Sequence, residues 1–86
     1  MPEISRFLGI VIKMFFGDHA PPHFHASYQG AKAIFSIETG QAIAGELPPQ
    51  QLAIVTTWAL MRKKELMANW NALTTGKEAK KIAPLR

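Results

Sequence analysis

The feature that most constrains the fold is a series of short apolar runs in the first half of the chain, separated by turn signals. The runs are rich in strand-forming residues and cover residues 10–16, 23–28, 31–37 and 41–47. Gln29-Gly30 and Thr39-Gly40 are the shortest connections between them. Strands joined by so few residues pair antiparallel, because parallel pairing needs a long crossover. The sequence therefore predicts an antiparallel β-meander of about four strands.

Alternation along the first three runs assigns one face of each strand to the core. The predicted buried residues are Ile10, Ile12, Met14, Phe16, Phe24, Ala26, Tyr28, Ala33, Phe35 and Ile37. His23, His25 and Ser27 fall on the opposite face of their strand. We therefore expect the two imidazoles to point away from the core.

The periodicity changes at Pro48-Pro49, and a proline suits the first turn of a helix. Apolar residues then recur at helical spacing, at Leu52, Val55, Ala59, Leu66, Trp70 and Leu73. Gly76 is a suitable C-terminal stop. The prediction is one helix within residues 48–76, about 25 residues and about 38 Å long. A domain of this size is only about 30 Å across, so we expect the helix to project, bend or be covered by a partner.

The predicted fold class is α+β, with the meander of about four strands packed against one long C-terminal helix. The segment Lys80–Leu85 could add a short fifth strand at a sheet edge, ended by Pro84. We expect one domain over residues 1–86, divided into a β-sheet half (1–47), a helix (48–76) and a basic tail (77–86).

The first half of the predicted helix is apolar on nearly all sides. Its apolar residues are Leu52, Ala53, Ile54, Val55, Trp58, Ala59, Leu60 and Met61. One sheet covers only one side of a helix, so a second contact surface is expected. A homodimer or a small partner protein would supply it, and a strand segment around Ile4 and Phe7 is the alternative.

Composition narrows the class of protein. The chain has 86 residues and no cysteine, which excludes disulfides and thiolate ligands and fits a reducing cytoplasm. Its longest apolar stretch, residues 7–16, is interrupted by Lys13 and is far too short for a membrane span. We therefore expect a cytoplasmic protein that does not enter a membrane.

Positive charge is concentrated at the C-terminal end. The net charge is +4, and most of the ten basic residues follow residue 61. Lys77, Lys80 and Lys81 are accordingly candidate contacts for RNA or DNA. A solvated helix end followed by a basic tail is the simpler interpretation.

All three histidines lie in one short segment, Asp18-His19-Ala20-Pro21-Pro22-His23-Phe24-His25. As a metal site, His23 and His25 would chelate one divalent ion such as zinc from the same strand face. His19 and Asp18 are the further candidate ligands, and Asp18 or Glu38 could instead orient a ring.

Two other interpretations of the segment remain open. His19, His23 and His25 could be metal-free acid–base groups that cleave RNA, with Arg6, Lys13 or Lys32 holding the phosphate. The cluster could also be purely structural, with Asp18 closing a turn and the prolines fixing an extended approach to the strand.

Much of the chain resembles a family of small prokaryotic proteins, the domain-of-unknown-function family 4160. The matching segments are 1–10, 18–28, 37–40, 45–48, Trp58, Asn69-Trp70 and 81–85. The resemblance implies a bacterial cytoplasmic protein that is often one half of a two-gene, toxin–antitoxin-like module. It implies no activity.

Two functional hypotheses follow. The first is a partner-binding or nucleic-acid-associated component of a toxin–antitoxin-like module. The alternative is a small ribonuclease or metal-dependent hydrolase that uses His19, His23 and His25.

Overall fold

A computed structural model describes residues 3–85 and contains five strands followed by two helices. These are β1 (Glu3–Phe7), β2 (Ile10–Lys13), β3 (His23–Tyr28), β4 (Ala31–Ser36), β5 (Ala42–Glu46), α1 (Pro49–Met61) and α2 (Lys63–Thr74). The strands form one antiparallel sheet in sequence order. The predicted α+β meander is confirmed, while the number of strands and helices differs from the prediction.

Two hairpins close with two-residue turns whose residues both have positive φ. Leu8 and Gly9 have φ of 52° and 80° between β1 and β2, and Gln29 and Gly30 have 46° and 87° between β3 and β4. Such turns match the right-handed twist of the flanking strands. The second turn was predicted from Gln29-Gly30. The first turn was not predicted, although a strand segment around Ile4 and Phe7 was one of the alternatives.

The predicted strand over residues 10–16 was too long at its C-terminal end. Ile10, Ile12 and Met14 are fully buried as expected, but β2 ends at Lys13 and the side chain of Phe16 is 59% exposed. The chain leaves the sheet after Lys13 to form the loop that carries Asp18. Strand alternation therefore no longer predicts which side chains are buried at Phe16.

The prediction of one long helix is wrong in detail, because the helix bends at Arg62. This residue ends α1 and precedes α2, with φ −110° and ψ 20°. The longest extent of the molecule is 34 Å, less than the length of the predicted straight helix. Bending allows Trp58 in α1 and Trp70 in α2 to be buried in one core.

The fifth strand lies at the N-terminus and not in the tail. Residues 77–85 form no strand, but they cover the open edge of β1. The Ile82 amide donates to the Ile4 carbonyl at 2.8 Å, and the Ser5 hydroxyl donates to the Ile82 carbonyl at 2.9 Å. The Trp58 indole N–H donates to the Ala83 carbonyl at 2.9 Å. These bonds hold the tail against both the sheet edge and α1.

The core forms between one sheet face and the two helices, with Trp58 at its centre. The ring centroids of Phe7 and Phe24 lie 5.2 and 5.8 Å from that of Trp58. Phe7 on β1 thus covers part of α1. This agrees with the alternative prediction, in which a strand segment around Ile4 and Phe7 packs against the helix. Leu60 and Met61 remain 56% and 59% exposed. Among the described residues, neither helix has the length and apolarity needed to cross a membrane.

Candidate metal centre

Asp18, His23 and His25 converge at the start of β3. Asp18 Oδ2 lies 3.1 Å from His23 Nε2 and 3.4 Å from His25 Nε2. The three candidate ligand atoms all lie within 4.8 Å of one another. Spacing in the strand brings the two imidazoles together, and the preceding loop adds the carboxylate.

A hydrogen bond fixes the tautomer of His23. Its Nδ1 lies 2.8 Å from the Pro21 carbonyl oxygen. A carbonyl only accepts hydrogen bonds, so Nδ1 carries a proton and donates it. In neutral His23 the lone pair is then on Nε2, which faces the Asp18 carboxylate. Two acceptors in contact require a proton between them, on Nε2 or on the carboxylate, or a cation that they share.

The loop before β3 is held in place by the neighbouring strand region. The Ile37 amide, just beyond the end of β4, donates to the Pro22 carbonyl at 3.1 Å. Pro21 and Pro22 supply no amide protons of their own, so their carbonyls are the groups that tie this segment down. One carbonyl thus anchors the loop, and the other orients His23.

Each of the two imidazoles lies against one aromatic ring. The His23 ring lies 5.1 Å from Trp70 of α2, and the His25 ring lies 4.8 Å from Phe15 with an edge-to-face arrangement. The side chains of His23, His25 and Asp18 are 14%, 33% and 28% exposed. His23 is therefore less outward-facing than predicted, while the group as a whole remains open to solvent.

The separations suit a small divalent ion. Zinc–ligand distances of about 2.0–2.1 Å in tetrahedral geometry put neighbouring ligand atoms about 3.3 Å apart. The two Asp18–histidine distances already have this size. The two imidazole nitrogens lie within 4.8 Å of each other.

The other predicted site residues lie outside this group. His19 and Glu38 are exposed and are not among the three converging residues. Lys77, Lys80 and Lys81 are exposed on the tail. The backbone of Lys80 is hydrogen-bonded to the Asn69 side chain through both its amide and its carbonyl.

A cavity of about 370 Å³ opens on the sheet face opposite the helices and borders His25. Its lining includes Lys13, Phe15, Ser27, Lys32 and Ile34. Of the three cations predicted to hold a phosphate, Lys13 and Lys32 line this cavity and Arg6 does not.

Arg6 instead forms an ion pair with Glu3 on the same strand. Its guanidinium donates to both carboxylate oxygens, at 2.9 and 3.1 Å. This hydrogen bonding is the main cause that lowers the pKa of Glu3, and the positive charges of Arg6, Lys81 and Lys13 add to it. The same partner raises the pKa of Arg6. The Arg6 guanidinium is therefore already paired with the Glu3 carboxylate.

Sequence reasoning missed three groups around the site. These are the Pro21 carbonyl, the Phe15 ring and the Trp70 ring. Trp70 was predicted only as one of the apolar residues at helical spacing. The carbonyl and the contact with Trp70 depend on three-dimensional placement, for which the sequence carries no periodic signal.

Comparison with known proteins supports the family resemblance seen in the sequence. The family described as a domain of unknown function (DUF4160) matches residues 9–71, a stretch that includes Asp18, His23, His25 and Trp70. Searches among curated proteins and solved structures gave no significant match. Since the family match covers most of the chain, this protein belongs to the DUF4160 family.

Proposed function

We propose that the protein binds a divalent metal ion through Asp18, His23 and His25 and acts as a metal-dependent hydrolase. One observation carries the proposal: His23 Nε2, on the far side of the ring from the Pro21 carbonyl, lies 3.1 Å from the Asp18 carboxylate. Metal-binding histidines in general donate their other ring N–H to a carbonyl or carboxylate. A cation between His23 and Asp18 satisfies both groups.

The openness of the group favours a catalytic role for the metal over a structural one. Structural zinc sites are closed by four protein ligands, whereas catalytic sites use three and leave a position for water or substrate. Here three ligands converge, and His25 is one-third exposed beside a cavity. A divalent ion bound there supplies Lewis-acid polarisation of a substrate oxygen and activation of water.

The surrounding residues have separate tasks in this proposal. Pro21 and Trp70 hold His23 in one orientation, and Phe15 restrains His25. His19 follows Asp18 in the chain and is exposed, and we assign proton transfer to it.

The first test measures metal binding to protein purified without a histidine tag. Titration calorimetry with zinc should give one site per chain in the wild type. Asp18→Asn and His25→Ala should lose that site, because each removes one of only three ligands. His19→Ala is the matched control from the same segment and should bind zinc as the wild type does.

The outcomes separate the metal site from the alternatives. A wild type that binds no zinc, or an Asp18→Asn variant that binds it unchanged, contradicts the metal site. Cleavage of RNA that is unaffected by a chelator but lost in His25→Ala would favour metal-free acid–base chemistry. Circular dichroism of each variant verifies that the fold is retained.

A second candidate function is binding of a small partner protein or a second copy in a toxin–antitoxin-like module. It is supported by the edge strand β5, which pairs only with β4 among the described strands and exposes Ile43 by 53%. An edge strand with free backbone groups is a template for pairing with another chain. The exposed Leu60 and Met61 on α1 add apolar surface.

Sedimentation and co-expression with the product of a neighbouring gene test this candidate. Ile43→Lys should abolish an association made through β5. Leu8→Lys changes a similarly exposed apolar residue, 55% exposed in the β1–β2 turn, and should leave the association unchanged. A wild type that stays monomeric and captures no such product rules the candidate out.

A further inference from the structure

The sheet face opposite the helices carries polar and charged side chains that take no part in the proposed metal site. The cavity next to His25 is lined by two lysines, one serine and several apolar side chains. We infer that this cavity binds a phosphate-bearing ligand, either a free nucleotide or a nucleotide unit of single-stranded RNA. The inference rests on the proposed function, because it names the substrate class of the same site.

Strand register places the two lysines on opposite sides of a polar centre. Lys13 on β2 is opposite His25, and Ser27 is opposite Lys32 on β4. His25 and Ser27 are two residues apart on β3 and share one face. Strand spacing and rise put the Lys13 and Lys32 Cα atoms about 12 Å apart. Two flexible four-carbon side chains can span that distance to one phosphate above Ser27.

Both lysines are available for an anion. Within residues 3–85, neither forms an ion pair with another side chain. Glu3 lies opposite Lys13 across β1 and β2, but Arg6 binds both of its carboxylate oxygens. Glu46 lies opposite Lys32 across β4 and β5 without forming an ion pair. The cavity therefore presents two ammonium groups without a carboxylate bound to either.

The rest of the cavity suits the apolar part of a nucleotide. Its volume of about 370 Å³ is within the range of small-molecule sites, about 300–1,000 Å³. Phe15 and Ile34 supply apolar walls, and an aromatic side chain gives a base a surface for stacking. The hydroxyl of Ser27, at the centre, is placed to donate to a phosphate oxygen.

Binding is tested with two probes, adenosine monophosphate and a fluorescent single-stranded uridine hexamer. Both are titrated into full-length protein in the presence of a chelator, so that the lysines and not a metal carry the interaction. Lys13→Gln and Lys32→Gln should each weaken binding of whichever probe the wild type binds, at least tenfold. Binding of the mononucleotide identifies a free nucleotide as the ligand, and binding of the hexamer alone identifies RNA.

The matched control is Lys63→Gln with Lys64→Gln on α2, which removes two charges that do not line the cavity. The control should bind the probe as the wild type does. An equal loss in the control and the cavity variants would overturn the inference, since net charge would then explain the binding. Failure of the wild type to bind either probe would overturn it as well.

Zinc titration of the same variants separates this inference from the proposed metal site. Lys13→Gln and Lys32→Gln should bind zinc normally, and Asp18→Asn should still bind the probe in chelator. If the wild type binds the probe but no zinc, the cavity site stands and the metal site fails. If zinc binds and neither probe does, the metal site stands and the cavity inference fails.

Discussion

Replacing Asn69 tests how much the hydrogen bonds between α2 and the tail contribute to stability. Its side chain is only 4% exposed on α2, and its amide donates to the Lys80 carbonyl at 2.8 Å and accepts from the Lys80 amide at 2.9 Å. Asn69→Ala removes both bonds. At about 0.5–1.5 kcal/mol for each hydrogen bond, the loss should be about 1–3 kcal/mol.

Asn71→Ala is the matched control on the same helix. Asn71 is exposed, and its side chain makes no hydrogen bond to another described residue. Both variants gain the same helix propensity from alanine, so the difference between them isolates the two bonds to Lys80. Because Trp58 and Trp70 are both buried, their fluorescence reports unfolding.

Urea titration measures that difference directly. With a slope of about 1–3 kcal/mol per molar urea for a small protein, the midpoint of Asn69→Ala should lie about 1 M below that of Asn71→Ala. Carboxypeptidase should also digest the tail of Asn69→Ala sooner. Equal midpoints in the two variants would refute the argument that these bonds fasten the tail.

Three further predictions follow from other parts of the molecule. Gly45→Ala should cost about 2 kcal/mol or more, because φ is +74° and the new Cβ would lie 2.9 Å from Ala33 Cα. Gly17→Ala, at φ +75° in open space, should cost only about 1–2 kcal/mol, and equal urea midpoints would contradict this reasoning. Zinc at a hundred times its dissociation constant should stabilise the wild type by about 2.7 kcal/mol and raise Tm by roughly 10–20 °C, a shift that Asp18→Asn should lack in thermal melts. The lowered pKa of Glu3 means that its contribution to folding stability is complete above pH 4.5, its ordinary pKa, and is lost as the pH falls through its pKa in the folded protein. Glu3→Gln should therefore lose less stability than the wild type on acidification. An equal loss of stability with falling pH in the two proteins would contradict this.

The sequence allowed much of the sheet to be predicted, because alternation and turn chemistry are local signals. Gln29-Gly30 marked its hairpin, and Phe24, Phe35 and Ile37 were assigned correctly to the core. Phe16 was misassigned because the chain leaves the sheet after Lys13, where strand alternation no longer applies. β1 was anticipated only as an alternative, the strand segment around Ile4 and Phe7, because its place in the sheet is defined by its pairing with β2.

The helix bend and the site depend more on long-range contacts. Helical spacing continues through Arg62, so periodicity alone predicts one helix, whereas the structure has two helices separated by Arg62 in a molecule 34 Å long. The strand spacing of His23 and His25 predicted their common face. The position of Asp18 beside them depends on the loop, and the contact of His23 with Trp70 depends on the packing of α2. Neither is encoded in a local pattern.

The most direct test of the metal centre is X-ray absorption spectroscopy of the zinc-loaded, untagged protein. We expect two imidazole nitrogens and one carboxylate oxygen bound to zinc at about 2.0–2.2 Å, with the same shell in His19→Ala and no zinc retained at this site by His25→Ala. A zinc shell with fewer than two imidazoles, or a shell unchanged by His25→Ala, would contradict a site formed by Asp18, His23 and His25.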